Sequence, residues 1–198
     1  MMPRVLRHDD PALPGALQEA LETGQTIIFP TDTVYGIGGN PWDKRTLVRV
    51  RTLKERPEDQ PFALLVANTA TIERYAVLDD RLRQLVERLL PGAYTLLLPS
   101  RPSVPSATSA AGKVGVRVPE HPFFRETLAA LDRPLFGTSV NRHGEPPLVD
   151  EADIIDRFAA VDLIVTGPTS TRPSAILDLT CTPPQALRGD LPAFLSED

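Results

Sequence analysis

The sequence predicts an α/β fold with helices packed on a mixed β-sheet. Segments of helical period alternate along the chain with short runs rich in β-branched and aromatic residues. Two of these runs, 94–98 and 114–118, follow one another with no helix between them, which makes the sheet mixed rather than purely parallel. The composition, 41% hydrophobic and 24% charged over 198 residues, is that of a globular chain of one domain's size.

The first helix is predicted over 10–23. Leu13, Ala16, Leu17, Ala20 and Leu21 recur there at helical spacing, with Asp10 as N-cap, Pro11 in the first turn and Gly24 as the stop. Thr26, Ile27, Ile28 and Phe29 then read as a buried strand, which Pro30 ends ahead of a functional loop. Further helices are predicted over 43–54, 79–90 (closed by Pro91 and Gly92), 122–131 and 150–158. Strands are predicted over 62–66, 94–98, 114–118, 135–139, 163–165 and 175–179.

The stretch 100–113, rich in Ser, Pro and Ala, is predicted to be a loop and a candidate lid, and 167–173 a second loop. Apolar strands resume directly after each, so neither reads as a linker and residues 1–198 are expected to form one domain. The 21 prolines follow no repeat period, which implies many rigid turns between short elements.

Charge and composition restrict the function. A net charge of -5 does not suit a protein that grips nucleic acid over a broad surface, so any phosphate ligand must meet a local basic cluster. Cys181 is the only cysteine, which excludes disulfides within the chain and cysteine-based metal sites. No apolar run is long enough for a membrane span and no secretion signal is evident, so a cytoplasmic location is expected. The P-loop, G-x-G-x-x-G and H-E-x-x-H patterns are all missing, and His8, His121 and His143 lie in unrelated contexts. ATP, if bound, is held without a P-loop, and no resident metal is expected.

Three clusters could carry chemistry. Lys54-Glu55-Arg56-Pro57 stands where a helix ends, and a chain leaving the helix can turn Lys54 and Arg56 toward one pocket; solvated charge at a helix C-terminus is the plainer alternative. Thr138-Ser139-Val140-Asn141 ends a strand, where open α/β sheets bind ligands, and alternation aims Ser139 and Asn141 the same way; a turn closed by Ser and Asn would look alike. In the third, 30–36, Thr31, Asp32, Thr33 and Tyr35 follow the buried strand, with Asp32 either functional or capping a turn. Arg117, inside an apolar strand, needs an anion if it faces the core side and is ordinary if it faces solvent.

Taken in order, P-T-D-T-V-Y-G at 30–36, K-E-R-P at 54–57, P-G-A-Y-T at 91–95, V-R-V-P at 116–119, T-S-V-N at 138–141, P-S-A-I at 173–176 and R-G-D at 188–190 resemble the YrdC-like family. The resemblance covers nearly the whole chain. It implies a three-layer α/β fold, with a twisted mixed sheet around an open, basic central cavity. It also implies synthesis of threonylcarbamoyl-AMP and pyrophosphate from L-threonine, bicarbonate and ATP, for N6-threonylcarbamoyladenosine modification of tRNA position 37. The K-x-R and S-x-N pairs mark synthases in this family, whereas a paralogous group resembling YciO lacks both. Here both pairs are intact, and the length matches the short form without an additional C-terminal domain. Val140 and Ala175 depart from the common S-A-N and S-T-I patterns; Val140 is expected to point away from the site.

The resemblance assigns Lys54 and Arg56 to the phosphates, and Ser139, Asn141 and Ser174 to hydrogen bonds around the α-phosphate and carbamoyl group. Arg188 joins the phosphate side. Thr31, Tyr35 and Arg117 are assigned to threonine, with Arg117 on its carboxylate and Tyr35 packing along the ligand. Mg2+ is expected to arrive with ATP. The expected partners are proteins that transfer the threonylcarbamoyl group to tRNA, with direct tRNA contact weak at most. An RNA-binding module of the same fold and a carbamoyl-adenylate-type enzyme are the rival readings.

Overall fold

The computed structural model describes residues 2–195. Its helices are α1 (Leu13–Thr23), α2 (Lys44–Lys54), α3 (Asp80–Leu89), α4 (Ala129–Leu131, continuing a π-helical turn Phe123–Leu128) and α5 (Glu151–Arg157). Three starts are set by carboxylates: Asp43, Asp79 and Asp150 each accept hydrogen bonds from main-chain N–H groups of the first turn, satisfying donors that have no partner inside the helix. The first helix differs from the prediction. Asp10 accepts from Ala12 N at 2.8 Å and closes a turn, so α1 begins at Leu13 with Pro14 in its first turn. Gly24, at φ 73°, ends it as expected.

The strands are β1 (Arg4–Arg7), β2 (Ile27–Phe29), β3 (Gly36–Gly39), β4 (Ala63–Leu65), β5 (Tyr94–Pro99), β6 (Ser109–Ala110), β7 (Lys113–Arg117), β8 (Leu135–Ser139), β9 (Leu163–Thr166), β10 (Ala175–Asp178) and β11 (Gln185–Arg188). They form one sheet in the order β1-β9-β2-β3-β8-β4-β7-β5-β10-β11, with β6 paired to β7. Parallel pairs such as β2 with β9 and β5 with β10 stand beside antiparallel pairs such as β3 with β8 and β5 with β7, so the sheet is mixed as predicted.

Strand alternation divides the side chains between two helical layers. Ile27, Phe29 and Leu135 pack with Leu13, Leu17 and Leu21 of α1, and with Phe123, Phe124 and Leu128. Ile28, Ile37 and Phe136 pack on the other face with Leu47 and Val50 of α2 and Ile154 of α5. Farther along the sheet, Leu64, Leu96, Leu98, Val114 and Val116 bury against Leu82, Leu85, Val86 and Leu89 of α3. Among the described residues no helix is long and apolar enough to cross a membrane.

The stretch 100–113 is not a free lid. Ser100 N donates to Gly112 O, Arg101 N to Tyr75 O and Phe62 N to Ala107 O, at 2.8–2.9 Å. Val104 and Thr108 are buried, and β6 pairs with β7. Two buried side chains and a strand pairing give this stretch reason to stay down without ligand.

Candidate active site

The cavity lies on the sheet face opposite α3. On β5, Leu96 and Leu98 pack against α3 while Thr95 and Leu97 line the cavity; on β7, Val114 and Val116 pack against it while Gly115 and Arg117 line the cavity. Ser139 ends β8 on the same side, and Ser174 immediately precedes β10. The floor is deep because glycines cross it: a Cβ on Gly137 would stand 2.5 Å from Leu65 Cδ1. The cavity volume is about 320 Å3, within the range of small-molecule pockets.

The walls are more apolar than the expected basic cavity, with Phe29, Phe62, Leu65, Leu97, Ile176 and Leu187 among the lining residues. Three arginines supply the charge: Arg56, Arg117 and Arg188 line the cavity, and no carboxylate does. They differ in what already holds them.

Arg117, 6% exposed, is fully engaged. It donates to Asp32 Oδ1 at 2.6 Å, to Thr33 Oγ1 at 2.7 Å and to Gly92 O at 3.2 Å. The anion that this buried arginine requires is therefore Asp32, a function that sequence reasoning left open between site residue and turn cap. Burial lowers the Arg117 pKa and Asp32 opposes that shift.

Arg56 has no such partner. It donates from Nη2 to Pro61 O at 2.9 Å and lies over the Phe62 ring, while its buried Nε has no hydrogen-bond partner. Burial and the neighbouring Arg51 lower its pKa. Arg188 donates to Ser174, from Nε to the carbonyl at 3.0 Å and from Nη2 to Oγ at 3.3 Å. Ser174 Oγ also lies 3.0 Å from Thr95 Oγ1. Among the described residues no carboxylate oxygen lies within 4.0 Å of Arg56 or Arg188. These are the guanidinium groups free to meet an anion.

Lys54 is placed differently from the phosphate role assigned to it. It is 2% exposed and does not line the cavity; its Nζ donates to Ser139 O at 2.5 Å, Asn141 O at 2.7 Å and Asn141 Oδ1 at 3.0 Å. Burial, with Arg56 nearby, pulls its pKa down to about 7. Asn141 is likewise turned inward. Its Oδ1 accepts from Ser139 Oγ as well, and its Nδ2 donates to the carbonyls of Arg142 and Glu145. Of the S-x-N pair only Ser139 lines the cavity, and Val140 is buried in the core as expected.

Thr31 lines the cavity but spends its hydroxyl on Val34 O at 2.7 Å. Tyr35 contributes to the wall, yet it is 1% exposed and its hydroxyl lies 2.7 Å from both Glu151 Oε1 and Gly167 O. The hydroxyl is thus committed to protein partners and not to a ligand. Ala175 is off the cavity and packs against the α3 core, so the hydroxyl it lacks would not have faced a ligand. The structure adds Thr95, Pro173 and Leu187 to the wall. Leu187 and Arg188 belong to β11, a strand too polar and exposed to stand out in the sequence.

A family model described as telomere recombination, covering the Sua5, YciO and YrdC proteins, matches residues 19–189. The chain belongs to this family. The Sua5/YciO/YrdC relatives include a threonylcarbamoyl-AMP synthase from an Enterobacter species, 31% identical over 81% of this chain and 87% of that protein. A threonylcarbamoyl-AMP synthase from Pyrococcus abyssi is 32% identical over 87% of this chain. The P. abyssi Sua5 structure in complex with L-threonine superposes with a TM-score of 0.83 at 28% identity, covering 95% of this chain and 57% of that one. The uncharacterized YciO of Escherichia coli is 30% identical over 89% of this chain and 90% of its own length, and its crystal structure matches with a TM-score of 0.85. The chain spans 52% of the P. abyssi synthase and 65% of a Methanocaldococcus jannaschii relative.

Proposed function

We propose that this protein is an L-threonylcarbamoyladenylate synthase of the cytoplasm, making threonylcarbamoyl-AMP and pyrophosphate from L-threonine, bicarbonate and ATP. The observation that carries the reading is the convergence of the two pairs that mark synthases in this family. Lys54 Nζ is bonded to both Ser139 and Asn141, and the adjoining Arg56 lines the cavity with an unpartnered Nε. Similarity alone does not separate synthases from YciO, since both match over most of the chain; the paired residues do.

Threonine's amine adds to CO2 derived from bicarbonate, giving a carbamate. A carbamate oxygen attacks the α-phosphorus of ATP, and the bond to the bridging oxygen breaks, so that pyrophosphate leaves with the electron pair. No side chain needs to act as a covalent nucleophile. The protein positions two anions and offsets their charge. Arg56 and Arg188 bind phosphate oxygens, Ser174 offers a hydroxyl on the same cavity wall, and Ser139, whose proton goes to Asn141, lines the wall without donating. Arg117, though held by Asp32, Thr33 and Gly92, lines the cavity with Thr31 and lends its positive charge to the threonine carboxylate. Mg2+ enters with the triphosphate, which supplies most of its ligands. The product goes to proteins that transfer the threonylcarbamoyl group to tRNA.

The test is pyrophosphate release by the purified protein with ATP and Mg2+. Release that requires both L-threonine and bicarbonate is expected. Release indifferent to either one refutes the reading, and carbamoyl phosphate replacing both would move it to the carbamoyl-adenylate class.

A further inference from the structure

Loop 167–173 runs beside the cavity and delivers Pro173 and Ser174 to its wall. The 30–36 motif reaches it twice. Ser170 N donates to Thr33 O at 2.5 Å, and Gly167 N donates to the Tyr35 hydroxyl at 3.0 Å. That hydroxyl's single proton is shared between Gly167 O and Glu151 Oε1, each 2.7 Å away. His121 Nε2, 3.0 Å from Pro168 O, is a further fastening.

The Tyr35 hydroxyl thus joins three separate segments: the 30–36 turn, the first turn of α5 and the loop. Its ring is fixed in the core with Ile28, Ile37 and Phe136, so the hydroxyl is a rigid point and the loop is what it positions. Downstream, Ser174 accepts from Arg188 through two atoms, and Arg188 is one of the two guanidinium groups left free for an anion. Buried polar networks of this kind specify a single arrangement when every member is satisfied.

We propose that Tyr35 is a positioning residue of this site: its hydroxyl, shared with Glu151, latches loop 167–173 and thereby sets the wall that Ser174 and Arg188 complete. Substrate affinity then depends on the latch. A loop that spends only a fraction of its time in place weakens apparent binding by that fraction, and saturating substrate restores it. This kinetic consequence rests on the synthase reading, whereas the latch itself does not.

Amide exchange of the unliganded protein tests the latch directly. Tyr35→Phe removes only the hydroxyl, and exchange over 167–173 is expected to quicken about tenfold while β2 and β8 stay unchanged. Glu151 is exposed, so Glu151→Ala leaves the core alone and is expected to act in the same direction to a smaller extent. Glu151→Gln keeps an acceptor and is expected to stay within about twofold of the parent protein. In turnover, Tyr35→Phe is expected to raise the KM for L-threonine or ATP about tenfold with kcat nearly unchanged.

Unchanged exchange over 167–173 in both Tyr35→Phe and Glu151→Ala overturns the proposal. So does general loosening of the core by Tyr35→Phe with no local effect of Glu151→Ala, since that is the pattern of a merely structural tyrosine. If the parent protein releases no pyrophosphate, the synthase reading fails and the exchange data still decide the latch.

Discussion

Lys54 Nζ donates to both oxygens of Asn141, the main-chain carbonyl at 2.7 Å and Oδ1 at 3.0 Å, across 87 residues of sequence. With the Ser139 carbonyl as third acceptor, every N–H of the ammonium is used, and no carboxylate takes part. The K-x-R and S-x-N pairs are therefore one mechanical unit. Lys54 holds the turn that presents Ser139, and Arg56, two residues on, faces the cavity.

A pH dependence follows from that burial. The folded-state pKa of Lys54 is depressed to about 7 from its ordinary 10.5, so between these values the unfolded chain binds a proton that the folded one lacks. Stability therefore rises with pH through this window, by at most about 1.4 kcal/mol per pH unit, and the cost of burying the charge is fully present below it. Denaturant unfolding of the parent protein and of Lys54→Met, compared from pH 7 to 10, isolates the effect. The difference should move in favour of the parent as pH climbs. A flat difference would mean that the three acceptors keep the proton on Nζ.

Arg56→Ala should cripple turnover and leave the fold intact. The side chain is held by one carbonyl, carries a buried Nε without a partner and closes no ion pair. Losing one charge-assisted bond to phosphate costs roughly 1.5–3 kcal/mol, or about one to two decades in rate where the contact tightens in the transition state. Melting temperature and kcat/KM for ATP check the two halves separately. Unchanged kinetics would remove Arg56 from the site.

Arg117 should behave in the opposite way. Its ion pair with Asp32 is nearly out of water, so Arg117→Ala strands a carboxylate and a hydroxyl and should cost about 3–5 kcal/mol of stability. Asp32→Asn should be milder, because the amide oxygen still accepts from the guanidinium. Urea unfolding of the two variants is the measurement. A soluble Arg117→Ala protein of near-parental stability, with only its threonine KM raised, would assign this arginine to the substrate alone.

Helices and central strands were legible in the sequence because local chemistry decides them: the helices that Asp43, Asp79 and Asp150 cap start where expected, and 135–139 is β-strand throughout. Four strands were not, of which β6 is a two-residue pairing inside the stretch predicted to be loop. Gly36-Ile37-Gly38-Gly39 has poor strand propensity, but a Cβ on Gly38 would stand 1.7 Å from Phe136 O, so close pairing with β8 requires glycine there. β1 and β11 lie at the sheet's edges and are largely exposed, so they lack an apolar pattern. Within the site, residue types were readable and partners were not. Arg117 advertised its need for an anion, but only the fold brings Asp32 to it, 85 residues away. Lys54 looked like a phosphate ligand for the same reason that it is a good tether: an ammonium donates to any nearby oxygen.

The last prediction separates the two loops. Residues 100–113 are fastened at both ends by main-chain hydrogen bonds, bury Val104 and Thr108 and do not line the cavity, so ligand has nothing there to order. Loop 167–173 touches the cavity wall through Pro173 and follows its fastenings at Gly167, Pro168 and Ser170 with exposed Thr171 and Arg172. In the proposed reaction, closure over a carbamate and a mixed anhydride, both prone to hydrolysis, would give movement at this second loop a chemical purpose. Amide exchange with and without ATP and L-threonine together should therefore be equal over 100–113 and slower with ligand over 167–173. Protection that appears over 100–113 instead would restore the lid to the first loop, and would require the turn at Val104 to move from its place in the core.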